Sequence, residues 1–261
     1  MSNPVLTERA FEQERAGGPG WAAPGTGIYV NAPAPESMTI AGTATAVGAL
    51  FAIFLVAAWF GWNAVSESTV GNVTTTSAPS WLLVAIIGGF IVALVSSRKP
   101  KLARVLGPIY AICQGAGVGV ISHIYDVRYE GIVLQAVGAT IGVFAVMWFL
   151  YATRVIKVTD RMRMIVTSAT AGLALFYVVS IVLHAVGVGV PFLNSPSPLG
   201  IAFSLFAAGL AAFNLTLDFD LIERSTKAGA PKYMEWYAGL GLVITIVWLY
   251  LELLRLLSKR R

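Results

Sequence analysis

Acidic side chains inside long apolar runs are the residues of this chain with the clearest potential for chemistry. Asp218 and Asp220 lie in the segment Phe-Asn-Leu-Thr-Leu-Asp-Phe-Asp-Leu-Ile-Glu (213–223), near the end of one such run. An ionisable group is expensive in lipid, so each of the two is a candidate for a functional role. Residues two apart project about 200° apart on a helix, so the two aspartates cannot form a side-by-side pair.

The surroundings of these aspartates allow two interpretations. Asn214 and Asp218 are four residues apart and therefore share a helix face, which predicts a polar stripe leading inward from the cytoplasm. In the alternative interpretation the aspartates have no function and end a helix beside Arg224 and Lys227. The residue pattern leaves both open.

Other polar residues in the apolar runs indicate packing more than chemistry. Glu252 precedes Arg255 by three residues, a spacing that predicts an ion pair, and we expect this pair at the membrane interface. Gln114 is expected to form an interhelical hydrogen bond. His123 and His184 fall at helix ends, where we expect hydrogen-bonding histidines and not metal ligands.

Known catalytic and metal-binding motifs are missing from the sequence. There is neither a zinc-protease H-E-x-x-H sequence nor a G-x-S-x-G nucleophile elbow. The one cysteine, Cys113, excludes an intrachain disulfide and a metal site built on several thiolates. We therefore expect a protein that is not an enzyme and that has no cofactor and no metal centre.

The elements that must position these residues are transmembrane helices. The chain has 261 residues, 57% hydrophobic and 12% charged, whereas soluble domains carry roughly 25% charged residues. This composition excludes a single soluble core. Seven apolar runs have about the 20 residues that a bilayer-spanning helix needs, and they lie near 39–62, 80–97, 102–125, 131–155, 162–188, 197–222 and 233–257. The sequence predicts an all-α polytopic membrane protein with seven transmembrane helices.

The basic residues mark the ends of these runs. Lys and Arg number 0, 4, 1, 4, 0 and 3 in the six successive loops, so the positive-inside rule places the second, fourth and sixth loops and the N-terminus in the cytoplasm. The net charge of +5 thus reflects topology, and no nucleic-acid partner is expected.

Seven spans would put the basic residues 258–261 outside, against the positive-inside rule. Either the last helix crosses despite them or it does not cross fully, and the length of the run at 233–257 favours full crossing.

Two further patterns concern the N-terminal tail and helix packing. Residues 1–37 are polar and rich in Gly, Pro and Ala, which predicts a disordered cytoplasmic tail before a seven-helix transmembrane domain at 38–261. Glycines four apart let helices approach closely. We expect this of two pairs, Gly115 with Gly119 and Gly138 with Gly142.

Several segments, taken together, are typical of one family. They are Pro-Ile-Tyr-Ala-Ile-Cys-Gln-Gly (108–115), Gly-Ile-Val-Leu-Gln-Ala (131–136), Leu-Thr-Leu-Asp-Phe-Asp-Leu-Ile-Glu (215–223) and Ala-Pro-Lys-Tyr-Met-Glu-Trp-Tyr-Ala (230–238), followed by Leu-Tyr-Leu-Glu-Leu-Leu-Arg (249–255). The order and spacing of these segments resemble those of the Bax inhibitor-1/YccA-like family. The resemblance covers about residues 38–257.

This resemblance implies a fold, a location and an activity. Members have six helices surrounding a central seventh, which here is the C-terminal helix, and they are multi-pass proteins, in bacteria of the inner cell membrane. They are described as pH-sensitive calcium leak channels. In eukaryotes they are associated with suppression of cell death, and in bacteria also with modulation of a membrane-bound protease.

The resemblance also implies site residues. Calcium-leak members have a pH sensor made of two aspartates, one on the sixth helix and one on the seventh, and Asp218 matches the first. Aligning the last helix on its Leu-Arg-Leu-Leu end (254–257) puts Thr245 at the second position, ten residues before Arg255. An alternative register puts Glu252 there, but leaves few apolar residues after the acid. The family also often has an acid at the position of Gln114.

Two hypotheses for the function follow. The first is a passive leak of Ca²⁺ or other cations, lined by oxygen-bearing side chains with Asp220 at the mouth: Asp218, Asn214, Thr216 and Thr245. The second is a non-conducting regulatory protein that binds a membrane-bound protease or another membrane complex. The tail at 1–37 is the best sequence support for the second hypothesis, because a leak has no evident need for it.

Overall fold

The computed structural model describes residues 37–70, 73–187, 189 and 195–260. Almost all of the predicted disordered tail therefore lies outside the described residues. The described part forms seven α-helices, which we number in chain order: α1 Ile40–Asn63, α2 Leu82–Arg98, α3 Ala103–Arg128, α4 Ile132–Ala152, α5 Asp160–Ala185, α6 Pro198–Lys227 and α7 Met234–Ser258. Their ends agree with the predicted runs to within five residues.

Six of these helices are long and apolar enough to cross a membrane. The exception is α2, which has 17 residues and is thus about 25 Å long, shorter than the ~30 Å hydrocarbon core of a bilayer. The seven predicted helices are confirmed, and six of them are long and apolar enough to be the predicted membrane spans. Large apolar side chains on their outer faces are exposed, as expected for contact with lipid; examples are Leu83, Leu134, Ile141 and Ile181.

Local sequence signals set the helix ends. Thr39 precedes α1, and its hydroxyl accepts a hydrogen bond from the Gly42 N–H. Ser197 caps α6 in the same way through the Gly200 N–H, and Pro198 follows as the first helical residue. Both arrangements satisfy backbone donors that the first turn of a helix leaves free.

A two-stranded antiparallel hairpin connects α1 and α2. Its strands are β1 Ser66–Val70 and β2 Val73–Ser77, with Glu67 opposite Thr76. We predicted this segment only as the first loop. The missed signal is a run of Thr, Ser and Val on both sides of Gly-Asn (71–72), which is typical of a hairpin with a two-residue turn.

The C-terminal helix α7 packs against α1, α3, α4 and α6. Buried apolar side chains fill two main clusters around it, one with α1 and α3 and one with α4 and α6. A hydrogen bond from Tyr177 to Glu252 adds a contact with α5. These contacts are what place polar side chains of α6 next to those of α7.

The two ends of α7 lie at opposite ends of the bundle. Near its start, Thr39 donates to the Glu235 carboxylate, which ties α7 to the beginning of α1. After its end, the Lys259 ammonium donates to the Gly200 carbonyl at 2.9 Å and the Ser204 hydroxyl at 2.8 Å, near the beginning of α6. Helix α7 therefore runs antiparallel to α6 over most of its length, which supports the expectation that it crosses fully.

Lys259 also shows how the basic C-terminal end is accommodated. The side chain is buried, and burial lowers the pKa of its ammonium group. Its two hydrogen bonds satisfy the charge inside the protein. One of the four basic charges that conflict with the positive-inside rule is therefore bound by α6.

Glycines allow α1 and α3 to approach closely. A Cβ on Gly119 would collide with the Ala58 carbonyl, and one on Gly115 would collide with the Phe54 carbonyl. This confirms the first predicted glycine pair.

The second predicted pair is wrong within this chain. Apart from the backbone of α4 itself, no atom of the described residues lies within 4 Å of the place that a Cβ on Gly138 or Gly142 would take. Both glycines are on an exposed face of α4, which no described helix covers.

The close approach of α1 and α3 predicts a loss of stability when Gly119 is replaced by alanine. The new Cβ would push α1 away from α3, and we expect the free energy of unfolding to fall by about 1–3 kcal/mol. Gly142→Ala makes the same change on an exposed face of α4, where the higher helix propensity of alanine should raise the free energy of unfolding by about 0.5–1 kcal/mol. Thermal unfolding in detergent measures the stability of both variants. An equal loss of stability in the two would contradict the close approach of α1 and α3.

Candidate functional site

Asp218 lies inside α6 and faces α7. Helix α6 continues to Lys227, so Asp218 does not end the helix, as one interpretation of the sequence had it. Its carboxyl group faces the Thr245 side chain of α7. Its Oδ2 atom is buried and has no hydrogen-bond partner among the described residues. A charged oxygen left unsatisfied inside a transmembrane bundle is costly, so a bound proton or cation would stabilise it.

The register that pairs Asp218 with Thr245 matches the contacts in the structure. Thr245 is buried, and its hydroxyl donates to the Gly241 carbonyl of its own helix at 3.2 Å. The alternative register, with Glu252 as the partner, is not supported, because the Glu252 carboxylate is bound elsewhere. The sixth and seventh helices thus bring together one carboxyl and one hydroxyl group.

The polar stripe predicted from Asn214 to Asp218 does not form. The Asn214 amide donates to the Thr170 hydroxyl of α5 at 2.8 Å and to the Leu210 carbonyl. Thr216 is buried and donates to a backbone carbonyl of its own helix. Residues four apart differ by about 40° around a helix, and here that offset is enough for Asn214 to meet α5 while Asp218 meets α7.

Asp220, the predicted mouth of the pathway, is bound by two arginines. Arg163 of α5 donates to its carboxylate at 2.6 Å, and Arg224, one turn later on α6, donates at 2.9 Å. Asp220 does not end the helix either, but it is paired with Arg224, as the interpretation without a function expected. No such ion pair binds Asp218 among the described residues.

A second cluster of ion pairs surrounds Glu223, one turn after Asp220. Its carboxylate accepts hydrogen bonds from Arg154 and Lys227, each at 2.5 Å, and from the Tyr151 hydroxyl. Arg154 lies in the loop after α4, and its hydrogen bond with Glu223 raises the pKa of its guanidinium group.

These clusters include residues that we did not single out from the sequence. The pairs Asp220 with Arg224 and Glu223 with Lys227 have the (i, i+4) spacing of helical ion pairs, so a sequence signal existed. The pairs with Arg154 and Arg163 join residues that are 69 and 57 positions apart, and no local pattern indicates them.

Glu252 forms the ion pair with Arg255 that its spacing predicts, with an N–O distance of 3.1 Å. It also accepts hydrogen bonds from the Tyr177 hydroxyl at 2.8 Å and the Trp248 indole at 3.2 Å. The carboxylate is buried, with 3% of the side chain exposed. We expected an interfacial pair, and the structure shows one enclosed by α5 and α7 because Tyr177 covers it.

The remaining candidate residues have structural contacts. The Gln114 amide donates to the Ile86 carbonyl at 3.2 Å and thereby joins α3 to α2, as expected. The two ring nitrogens of His123 lie 2.7 Å from the Trp62 carbonyl and from a carboxylate oxygen of Glu67 on β1. The side chain of His184 lies outside the described part. Within that part, no group of three or more His, Cys, Asp or Glu residues could hold a metal ion.

A large apolar cavity lies away from Asp218. It has a volume of about 930 Å³, is open on one side and is lined by residues of α1, α3, α4 and α7. The Ser122 and Tyr250 hydroxyls, 2.7 Å apart, are among its few polar groups. The cavity is too apolar to hold a chain of water, so it does not extend the polar site.

The buried network at Glu252 predicts a large effect of removing its cation. Arg255→Met leaves the carboxylate buried without a counter-charge, and we expect the free energy of unfolding to fall by about 3 kcal/mol. Arg104→Met removes an exposed arginine and should change it by less than about 0.5 kcal/mol. Thermal unfolding of both variants in the same detergent is the measurement, and similar small losses would contradict the network.

Comparison with known proteins gives one kind of match. A family model described as Bax inhibitor 1 like matches residues 3–261, which includes most of the N-terminal tail and extends beyond the segments at 38–257. Neither the comparison with curated proteins nor that with solved structures gave a match. The family match covers nearly the whole chain and agrees with six helices suited to crossing a membrane. The chain is a membrane protein that belongs to the Bax inhibitor 1 like family.

Proposed function

We propose that this protein is a passive leak pathway for Ca²⁺ or other cations past Asp218. The observation that supports it is the buried Oδ2 atom, which has no hydrogen-bond partner in the described part of the chain and lies between two helices long enough to cross a membrane. The proposal includes the arrangement of the family, with six helices around a central α7. It also includes the inner cell membrane as the location and a cytoplasmic N-terminus, which follows from the positive-inside rule.

The oxygen atoms near Asp218 are too few for tight binding of Ca²⁺. Calcium takes six to eight oxygen ligands, whereas the site brings together the Asp218 carboxyl group and the Thr245 hydroxyl. An ion in passage would therefore keep most of its water. This favours a slow leak with transient contact over a storage site.

The hydroxyl at Thr245 also changes what pH sensing would involve. Two carboxyl groups that share a site titrate in two coupled steps. With a threonine at the second position, Asp218 titrates without that coupling. We propose that any pH response of the leak follows a single step.

The leak proposal predicts loss of flux in Asp218→Asn. This variant keeps the size of the side chain and removes its charge, so cations lose the group that stabilises them in the bundle. The measurement is Ca²⁺ entry into liposomes that contain the purified protein and a calcium dye. Asp160→Asn, which removes an exposed acid at the start of α5, is the matched control and should keep the flux. Unchanged flux in Asp218→Asn would remove Asp218 from the mechanism.

The second candidate is a non-conducting regulator that binds a membrane protease or another membrane complex. One observation favours it. Near Asp218, the end of α6 is surrounded by the cationic side chains of Arg163, Arg224, Arg154 and Lys227. Such a concentration of positive charge opposes the entry of cations. Neither candidate involves a catalytic step, and the absence of enzymatic activity stays a prediction.

The regulator hypothesis predicts a partner that depends on the tail. Cross-linking in membranes, followed by purification, should recover a stoichiometric partner with the full chain, and deletion of residues 1–37 should abolish the recovery. Liposomes with the full chain should show no flux. Flux together with the absence of a partner would contradict this hypothesis and favour the leak.

A further inference from the structure

A polar cavity of about 330 Å³ lies where α4 and α6 end and the loop to α5 begins. Tyr151 and Val158 form part of its wall, and the other lining residues are charged. Four are cationic and two are carboxylates: Arg154, Lys157, Arg224, Lys227, Asp220 and Glu223. The lining therefore has a surplus of two positive charges.

The two carboxylates hold the cations in place without neutralising them. Glu223 binds Arg154 and Lys227 together, and Asp220 binds Arg224 together with Arg163, which adds a further positive charge behind the cavity. The cations remain accessible, since 56% of the Arg154 side chain and 70% of the Lys227 side chain are exposed. Each can bind a further anion.

Lys157 is the cation of this cavity that has no partner. It is exposed and makes no hydrogen bond or ion pair with any residue that the structure describes. Nearby, Arg154 has a φ of 60°, the one positive φ among the described residues other than glycine. The loop thus adopts a conformation that is rare for arginine and that places the guanidinium against Glu223 at the cavity.

We propose that this cavity binds the phosphate group of an anionic lipid. Guanidinium groups match phosphate oxygens with pairs of hydrogen bonds, and lysine ammonium groups add point charges. Basic pockets at the ends of transmembrane helices lie at the depth of the lipid headgroups. The cavity is formed by the ends of such helices, so a headgroup reaches it from the bilayer.

Exposed apolar side chains next in sequence to the charged residues favour a lipid over a free phosphate ion. Val155, between Arg154 and Lys157, is 69% exposed. Met164, next to Arg163 on α5, is 64% exposed, and Leu221, next to Asp220 on α6, is 42% exposed. An acyl chain attached to the bound phosphate covers these side chains, whereas an inorganic ion leaves them bare. This inference does not depend on whether the protein conducts ions.

Thermal unfolding of the full chain in detergent, with dioleoyl phosphatidylglycerol or dioleoyl phosphatidylcholine added in a concentration series, tests the proposal. We expect the anionic lipid to raise the unfolding temperature and phosphatidylcholine to have little effect. Lys157→Gln should weaken the apparent affinity for phosphatidylglycerol about fivefold, and Lys157→Gln with Lys227→Gln about 25-fold. Because Lys157 has no partner, the single variant keeps every ion pair of the fold.

The matched control is the pair Lys99→Gln and Lys101→Gln. Both lysines are exposed in the loop between α2 and α3, and the double variant removes the same charge outside the cavity. It should keep the response to phosphatidylglycerol. An equal loss in this control would overturn the proposal in favour of diffuse surface attraction. An equal response to phosphatidylcholine would overturn it as well, and so would a full response to inorganic phosphate without lipid.

Discussion

The absence of water inside a bilayer is the constraint on which this structure depends. Polar groups between the helices must find partners within the protein or remain unsatisfied at high cost. Most of them do: Glu252 binds Tyr177 and Arg255, and Asn214 binds Thr170. Among the described residues, Asp218 is the carboxylate with a buried oxygen that has no hydrogen-bond partner. Asp218 is therefore a candidate for a function because it differs from Glu252 and Asn214 in lacking such a partner, and not only because it is acidic.

Asp218 and Asp220 show how helix geometry separates two chemically identical residues. They are two positions apart and therefore face different neighbours. Asp220 meets the basic start of α5 and is bound by Arg163 and Arg224, so its charge is compensated. Asp218 meets α7, which offers the Thr245 hydroxyl. Asp220 is stabilised by its arginines, whereas Asp218 has no such partner among the described residues and would be stabilised by a proton or a cation.

The sequence predicts well what depends on local pattern. Apolar length gives the seven helices, and (i, i+3) spacing gives the pair of Glu252 with Arg255. What it misses depends on which surfaces meet in three dimensions. The same glycine spacing packs closely at Gly119 and meets no helix at Gly142, and no local pattern indicates that Tyr177 will cover Glu252. The register of Asp218 with Thr245 was predictable because a family resemblance supplied the missing long-range information.

The cationic side chains at the end of α6 affect both proposed sites, the cation pathway at Asp218 and the polar cavity that binds lipid phosphate. Arg154, Arg224 and Lys227 lie within about three turns of Asp218 on or beside the same helix, and their surplus of positive charge raises the energy of a cation that approaches it. A lipid phosphate bound in the polar cavity would neutralise part of that surplus. Cation passage past Asp218 would then depend on the lipid at this end of the bundle. The charge distribution that opposes a leak in the bare protein is thus compatible with a leak in an anionic membrane.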